Sequence, residues 1–384
     1  MTDAVAMTNE RNQMFSDLFS GKIPKRVPIS NPATQDFAIQ YAGFDLAEAQ
    51  WDLTKLEPVY DKFCQDFYTD TYPGGSIRLP SHYQILGSTP IVMSSSGFMQ
   101  HPEVVGLLAE EYDQFIASPY DCIIETVLPR LYTEFNGTPG KVAMALAKAV
   151  RAQSDDLAYL GAIRAKMNAK YGYATMGAAL TEAPFDFMSD FLRSFKGISG
   201  DVRRYPDKIE AACEAVLPLM IKKGTLPNPS MLGYTFIPLH MAPYLRDKDF
   251  ATLYWPTFKK LVETLAGMGQ NVQLFVEQDW MRYLDYLYEL PENTIMRFEY
   301  GDAKLVKEKL GKKHIISGFY PVTLLQTGTK QQCVDKAKEL MDILAPGGKY
   351  WWQADKSIIN LEANGPVVEN LRAVLEYVHE NGTY

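Results

Sequence analysis

Apolar, β-branched and aromatic residues are concentrated in eight short runs, and helical patterns fill most of the intervals between them. Runs of this length are typical of strands that are buried on both faces of a parallel sheet. Strands that alternate with helices indicate an α/β fold, and eight of them predict a single closed (β/α)8 barrel, the TIM barrel. The runs are residues 26–29, 91–94, 173–176, 234–237, 272–277, 294–299, 314–317 and 350–353.

The helical pattern also predicts how the chain is organised around this barrel. Residues 1–24 read as a helical N-terminal lead-in, whose helix ends at Phe19 before Gly21. Residues 33–90 read as a long insertion between the first two predicted strands, and we expect it to cap the mouth of the barrel. Because no repeat or composition shift interrupts the chain, residues 1–384 are predicted to form one domain.

Composition narrows the class of protein further. The chain has 38 Lys and Arg against 46 Asp and Glu, a net charge of −8, and no basic stripe, which argues against nucleic-acid binding. It has no signal pattern and no long apolar run, so we expect a cytoplasmic protein with no membrane partner. The four cysteines are far apart without a CxxC, which indicates buried free thiols.

Barrels place their active sites at the C-terminal ends of the strands, so we expect the catalytic residues there. Glu277 follows the fifth strand, and His240 follows the fourth, so both are candidate catalytic residues and metal ligands. Glu299 and Asp302 follow the sixth strand and are further candidate ligands. The alternatives are structural: Glu277 opening a helix, His240 in the core, Glu299 paired with Arg297, and Asp302 capping a helix.

Histidine and carboxylate ligands on neighbouring strand ends would suit a zinc ion. The chain has no HExxH, P-loop or dinucleotide fingerprint, and Ser94 to Gly97 is not a nucleophile elbow. The chain is rich in aromatic residues, with 23 Tyr, 19 Phe and 5 Trp, most of which must be core. A few at the mouth would form a pocket for a planar ligand, for which the candidate substrate-binding residues are Trp280, Tyr300, Trp352 and Met99.

Several stretches resemble the uroporphyrinogen decarboxylase superfamily, and particularly its corrinoid-dependent methyltransferase branch. They occur in order along nearly the whole chain, and that order is more specific than any one of them. The matching stretches are residues 25–28, 97–103, 110–113, 183–186, 191–198, 254–256, 275–280, 324–329 and 369–371.

The resemblance implies a TIM barrel whose mouth accepts a small methyl donor and a docked corrinoid protein. Such proteins move a methyl group between the donor and the cobalt of the partner's corrinoid, several act on methoxylated aromatics, and many carry zinc near the mouth. A homodimer is a further expectation. The expected function is therefore an O-demethylase methyltransferase of anaerobic metabolism, in which Glu277 and His240 serve as metal ligand or proton donor.

The chain departs from the family pattern in two places. Residues 31–36 replace the arginine-rich motif that grips substrate carboxylates in the decarboxylase, and no cysteine falls at a predicted strand end as a thiol ligand of zinc. Two alternatives stay open at this stage. One is a decarboxylase that uses Arg26, Arg78 and Arg297, and the other is a binding protein of the superfamily without catalysis.

Overall fold

The protein is a mixed α/β structure built around a six-stranded parallel sheet. The computed structural model describes residues 2–74, 78–362 and 364–384. A separate two-stranded antiparallel sheet consists of β1 (Val92–Met93) and β2 (Met99–Gln100). The parallel sheet follows chain order through β3 (Ala178–Leu180), β4 (Tyr234–Leu239), β5 (Asn271–Val276), β6 (Ile295–Phe298), β7 (Ile315–Gly318) and β8 (Tyr350–Trp351).

Helices occupy most of the chain between the strands. The first group lies before β3: α1 (Thr2–Phe19), α2 (Gln35–Tyr41), α3 (Leu46–Trp51), α4 (Leu56–Asp66), α5 (Pro80–Leu86), α6 (Tyr112–Ala117), α7 (Pro119–Cys122), α8 (Leu128–Leu131) and α9 (Pro139–Tyr171). The second group is α10 (Pro184–Phe187), α11 (Ser194–Arg204), α12 (Pro206–Gly224), α13 (Asp247–Asp249), α14 (Trp255–Gly267), α15 (Leu284–Glu289), α16 (Ala303–Leu310), α17 (Val322–Thr327), α18 (Lys330–Leu344) and α19 (Val367–Asn381).

Short helical segments of other types connect some of these helices. Single 3₁₀ turns occur at Leu53–Lys55, Ala109–Glu111, Thr133–Phe135, Ala242–Tyr244 and Met281–Tyr283. Three segments of the described chain are π-helical, and the one that matters for the site joins α10 to α11. The π-helical segments are Ile123–Val127, Met188–Arg193 and Phe250–Tyr254.

Two further segments of the chain hydrogen bond to the edges of the parallel sheet. The Trp352 amide donates to Pro28 O at 2.9 Å, and the Ser30 amide donates to Trp352 O at 3.0 Å. The Asp70 amide donates to Ile29 O, and the Ala174 amide donates to Asp70 O, each at 2.9 Å. Parallel bridges pair Ile29 with Trp352 and Thr71 with Ala174. These contacts connect the segment after β8 to the segment before β3.

The parallel α/β class is confirmed, but three predicted strands require correction. Residues 26–29 form no strand, because Arg26 and Ile29 make only isolated bridges, with Thr383 and Trp352. Residues 91–94 do not join the parallel sheet, because Val92 and Met93 pair with Met99 and Gln100 in the antiparallel sheet. The segment that lies beside Ile29 is instead at Asp70 and Thr71, inside the predicted insertion 33–90. The third strand begins at Ala178, beyond the predicted residues 173–176, of which Ala174 makes only the isolated bridge.

The N-terminal helix is tied to the sheet by a hydrophobic contact and by a buried ion-pair cluster. Phe15 and Phe19 of α1 pack against Trp351 of β8, with ring centroids 5.2 and 5.9 Å apart, and α1 ends at Phe19 as predicted. The fully buried carboxylate of Asp70 accepts hydrogen bonds from Arg11 of α1 at 3.2 Å and from Arg26 at 2.6 Å.

None of the described helices is both long enough and apolar enough to cross a membrane.

Candidate active site

His240 lies between two carboxylates at the C-terminal ends of adjacent strands. It follows β4 directly, and Glu277 follows β5, whose last residue Val276 is in register with Leu239. The imidazole Nδ1 hydrogen bonds to Asp190 Oδ2, and Nε2 lies 3.1 Å from Glu277 Oε1. The structure thus brings together the two predicted catalytic residues and adds Asp190 to them.

Asp190 reaches the imidazole from the π-helical segment Met188–Arg193, which follows β3 and α10. A π-helical turn contains one residue more than an α-helical turn and frequently occurs at functional sites. The far end of this segment is fixed in the interior, because Arg193 Nε donates to the fully buried Asp201 at 2.6 Å. Tyr112 also donates to Asp201, at 2.9 Å. Asp190 is therefore presented by an anchored backbone.

Asp186 fixes the backbone on which His240 sits. Its fully buried carboxylate accepts from the His240 amide at 3.2 Å, the Met241 amide at 2.9 Å and the Tyr254 hydroxyl at 2.6 Å. Burial raises the pKa of Asp186, whereas the positive charge of His240 opposes that shift. The loop after β4 is consequently held by a buried side chain that does not itself hydrogen bond to the imidazole.

The surrounding carboxylates determine the charge of the imidazole. Burial by itself would lower the pKa of His240, but its hydrogen bonds to Asp190 and Glu277 outweigh burial and raise the pKa to about 12. His240 is therefore an imidazolium at neutral pH, with both N–H groups donating to carboxylates.

Glu182 is a second unusual acid close to this group. It lies two residues after the end of β3, its side chain is buried, and its Oε2 atom has no hydrogen-bond partner within the described parts of the chain. Burial raises the pKa of Glu182 to about 8, and the negative charge of Asp190 adds to this effect. The carboxyl group is therefore protonated and neutral at pH 7.

His240 and Glu277 face an open cleft of about 330 Å³. Asp190, Ser189 and His101 also line it, with Tyr244 at one side. Burial lowers the pKa of His101, whose ring packs against Phe191 with centroids 5.9 Å apart. The cleft is therefore lined by the imidazolium and its two carboxylate partners, beside polar and aromatic groups.

The other two predicted ligands are engaged elsewhere. Glu299 accepts hydrogen bonds from the backbone N–H of Gln278 at 2.9 Å and from Lys356 Nζ at 2.7 Å. Its ion-pair partner is therefore Lys356 rather than Arg297. Asp302 caps α16 by accepting from the Lys304 amide at 2.9 Å and the Leu305 amide at 3.1 Å. The capping alternative therefore accounts for Asp302.

The four predicted substrate-binding residues lie in different parts of the protein. Trp280 is fully buried in an aromatic cluster with Tyr283 and Phe250, and Trp352 is fully buried against Tyr320. Both indole rings therefore pack in the interior, because their large apolar area is better removed from water. Tyr300 is 62% exposed, and Met99 lines a second cleft of about 470 Å³ together with Trp51 and Tyr83.

The residues at the site do not fit a zinc ion as they are arranged. Among the residues that the structure describes, no three His, Cys, Asp or Glu side chains are grouped so that they could hold a metal ion. A histidine that binds zinc must offer a ring nitrogen lone pair to the ion. Both nitrogens of His240 instead hydrogen bond to carboxylates.

Three residues of the site, Glu182, Asp186 and Asp190, were not predicted as candidates from the sequence. All three follow β3, whose C-terminal end was predicted too early, at residue 176 instead of Leu180. The signal that could have found them is the pair Thr181 and Glu182 directly after Leu180.

No model of a known protein family matches the chain, and no curated protein is significantly similar to it.

Proposed function

We propose that the chain is a methyltransferase that takes a methyl group from a small methylated donor and passes it to the corrinoid of a partner protein. The preferred donor is a methoxylated aromatic, so that the reaction cleaves an ether. The observation that carries this proposal is the imidazolium of His240, held between Asp190 and Glu277 at the cleft. The resemblance to the corrinoid-dependent methyltransferase branch supplies the reaction type.

The ether reaction needs a group that stabilises the leaving oxygen. The Co(I) centre supplies the electron pair of the new Co–C bond, the C–O bond breaks, and its electron pair stays on the oxygen. A phenol has a pKa of about 10. Because the pKa of His240 is about 12, the imidazolium keeps its proton and stabilises the phenoxide by donating a hydrogen bond. The phenoxide then takes a proton from water after release.

The two carboxylates have different tasks in this proposal. Asp190 fixes the ring through Nδ1 and maintains its charge, as a carboxylate does for a catalytic histidine. Glu277 shares the Nε2–H with the ether oxygen at the cleft. Because the donors present do not fit zinc, no step of the proposal passes through a metal.

The parallel sheet and its edge contacts support a closed (β/α)8 barrel as the architecture. We propose that the segments around Ile29 and Asp70 complete the barrel between Trp352 and Ala174. The site then lies at the C-terminal ends of the strands, as in other barrels. The four cysteines are free thiols, in keeping with the cytoplasmic setting that we also propose.

The test is methyl transfer from methoxybenzenes to free cob(I)alamin, followed through the loss of Co(I) absorbance. We expect turnover by the wild-type protein, and a fall in kcat of about 10²- to 10³-fold in His240→Gln, because the charged donor is lost. In Glu277→Gln, NMR titration should show a lower His240 pKa, because one of its two carboxylates has been removed.

Asp285→Asn is the matched control, because this side chain is 87% exposed and pairs with Lys309 on the surface. It should retain wild-type activity. Absence of transfer from methoxybenzenes by the wild-type protein would reject the methyltransferase proposal. Full activity in His240→Gln would reject the role of the imidazolium while leaving the reaction type intact.

A further inference from the structure

A further cleft, of about 260 Å³, lies where the segment around Thr71 meets the chain that leads into β3. Only one described bridge joins the two, between Thr71 and Ala174, and β3 pairs with β4 from Ala178 onward. Met176, which lies between these two points, lines the cleft. The cleft is separate from the one at His240, because the two share no lining residue in the described part of the chain.

Arg164 of α9 lines this cleft and is half-buried. Its Nη2 atom donates to Met176 O at 2.8 Å, and the guanidinium carbon lies 5.6 Å from the centre of the Tyr72 ring. These contacts hold the planar group in place. Within the described chain, no Asp or Glu side chain pairs with Arg164. The remaining N–H groups of the guanidinium are therefore available to an anion.

Two side-chain amides that line the cleft have their oxygen engaged and their nitrogen unpaired. Gln353 Oε1 accepts from Gln273 Nε2 at 2.8 Å and from Ser317 Oγ at 2.9 Å, whereas Gln353 Nε2 has no described acceptor. Asn31 Oδ1 accepts from the Ala33 amide at 2.9 Å, whereas the buried Asn31 Nδ2 has no hydrogen-bond partner among the described residues. Because an unpaired buried donor costs about 1–3 kcal/mol, a ligand that accepts from it is favoured.

Hydroxyl groups add further donors to the cleft. Trp351 Nε1 donates to Ser30 Oγ at 3.1 Å, and Ser30 Oγ lies 2.9 Å from Thr71 Oγ1. One of these two hydroxyls donates to the other, so the second keeps a hydrogen for a ligand. The Tyr234 hydroxyl has no described hydrogen-bond partner. Burial raises the pKa of Tyr234, and the positive charge of Arg164 opposes that shift, so this hydroxyl is a protonated donor near the guanidinium.

The cleft is therefore rich in donors and lacks a competing anion. No Asp or Glu is among its described lining residues. A phosphate group has three terminal oxygens and accepts more hydrogen bonds than the two oxygens of a carboxylate, so it matches this surplus of donors better. The rings of Tyr72 and Trp351 also line the cleft and provide apolar surface for an organic group.

We propose that this cleft binds a small phosphate monoester. Arg164 pairs with the phosphate through charge-assisted hydrogen bonds, and the amide groups of Asn31 and Gln353 donate to its other oxygens. A ligand held in this way ties the segment around Thr71 to the chain before β3, where the protein itself has a single described bridge. The inference does not rest on the proposed function, because the cleft contains neither His240 nor its carboxylate partners.

Calorimetry with phenyl phosphate, inorganic phosphate and benzoate tests this site. We expect wild type to bind phenyl phosphate most tightly, inorganic phosphate more weakly because it lacks the organic group, and benzoate more weakly than phenyl phosphate. Arg164→Met should weaken the binding of phenyl phosphate about 10- to 100-fold, the usual cost of losing charge-assisted hydrogen bonds. Asn31→Asp keeps the oxygen that accepts from Ala33 but replaces the amide donor with a negative charge, so it should weaken binding at least as much.

Arg151→Met is the matched control on the same helix. Arg151 is 79% exposed, pairs with Asp155 and does not line the cleft, so its removal should leave the affinity unchanged. Tyr234→Phe removes one hydroxyl and no charge, so it should weaken binding only about 2- to 10-fold. Urea unfolding without ligand shows which variants are folded, and Tyr234→Phe carries the test if Arg164→Met is not. His240→Gln should bind phenyl phosphate as wild type does.

The outcomes separate this inference from the proposed function. Binding of phenyl phosphate that depends on Arg164 and Asn31 would support the site, whether or not the protein transfers methyl groups. Failure of wild type to bind phenyl phosphate and inorganic phosphate would overturn the inference, and so would binding that survives both Arg164→Met and Asn31→Asp. Tighter binding of benzoate than of phenyl phosphate would overturn the assignment of the cleft to a phosphate group.

Discussion

At the scale of single residues, the site is organised around one cation and several acids with unequal burial. His240 is charged because two carboxylates receive its two N–H groups, whereas Glu182 is neutral because burial is not compensated by a hydrogen bond to its Oε2 atom. The positive charge of His240 and the neutrality of Glu182 both result from desolvation and pairing, and neither requires a metal. A neutral carboxylic acid near a cationic imidazolium also gives the site a distinct dependence on pH.

Glu182→Gln should reveal the neutral acid through stability. The pKa of Glu182 is about 8 in the folded protein against 4.5 for an ordinary glutamate, so the folded state holds its proton more tightly. The contribution of this group is therefore greatest below pH 4.5 and is lost as the pH rises to about 8. The variant lacks this loss, so its stability relative to wild type should increase by a few kcal/mol between pH 5 and 8.5.

Urea unfolding at the two pH values measures this difference. Glu214→Gln, at a side chain that is 49% exposed, controls for the general effect of removing a carboxylate. Wild type and Glu182→Gln with parallel pH profiles would show that Glu182 ionises normally in the folded protein.

At the scale of elements, the apolar strands in the second half of the chain could be predicted well. Residues 272–277 and 294–299 differ from β5 and β6 by only one residue at each boundary, because both are apolar runs bounded by polar or glycine-containing turns. Their C-terminal ends correctly located Glu277. His240 was likewise correctly placed after β4, although that strand extends to Leu239.

The first half of the chain could not be predicted as well, for a physical reason. The segment at Asp70 and Thr71 joins the sheet edge through backbone hydrogen bonds. The Asp70 carboxylate accepts hydrogen bonds from Arg11 and Arg26, so no apolar run marks this segment. The apolar run at residues 91–94 instead supports a small antiparallel sheet. Because β3 was predicted too early, the acids that follow it were missed. Local hydrophobicity cannot reveal a strand whose pairing depends on distant polar residues.

Gly318 is required by the geometry of the element β7. Its φ is +90°, and a Cβ atom there would lie 2.1 Å from the backbone Phe298 O of the neighbouring strand β6. Gly318→Ala should therefore lower the free energy of unfolding by about 3 kcal/mol, from backbone strain and the clash together. Urea unfolding of the variant measures this loss.

Gly347→Ala separates the two contributions. Gly347 has a similar φ of +79°, but an added Cβ would meet no described atom within 4 Å. It should cost only the strain, about 1 kcal/mol. Equal losses in the two variants would mean that β6 moves away from Gly318 at little cost, and that this contact does not fix the strand spacing.

At the scale of the whole molecule, the central question is whether the sheet has free edges. The six parallel strands would leave β3 and β8 exposed as edges if the segments around Ile29 and Asp70 were only loosely attached. A closed barrel has no edge. The placement of the site at one rim of the barrel depends on that closure. The packing of Phe15 and Phe19 of α1 against Trp351 beside one of these edges favours closure.

Amide hydrogen exchange can decide between these arrangements. If the barrel is closed, the amides of Ser30 and Trp352 should exchange as slowly as that of Leu274 in β5, because all three open only when the whole domain unfolds. The Ser94 amide, which donates to Phe98 O at 2.9 Å in the small antiparallel sheet, should exchange faster and serves as the internal control. Exchange at Ser30 and Trp352 as fast as at Ser94 would mean that the edges fray, and the barrel would have to be replaced by an open sheet.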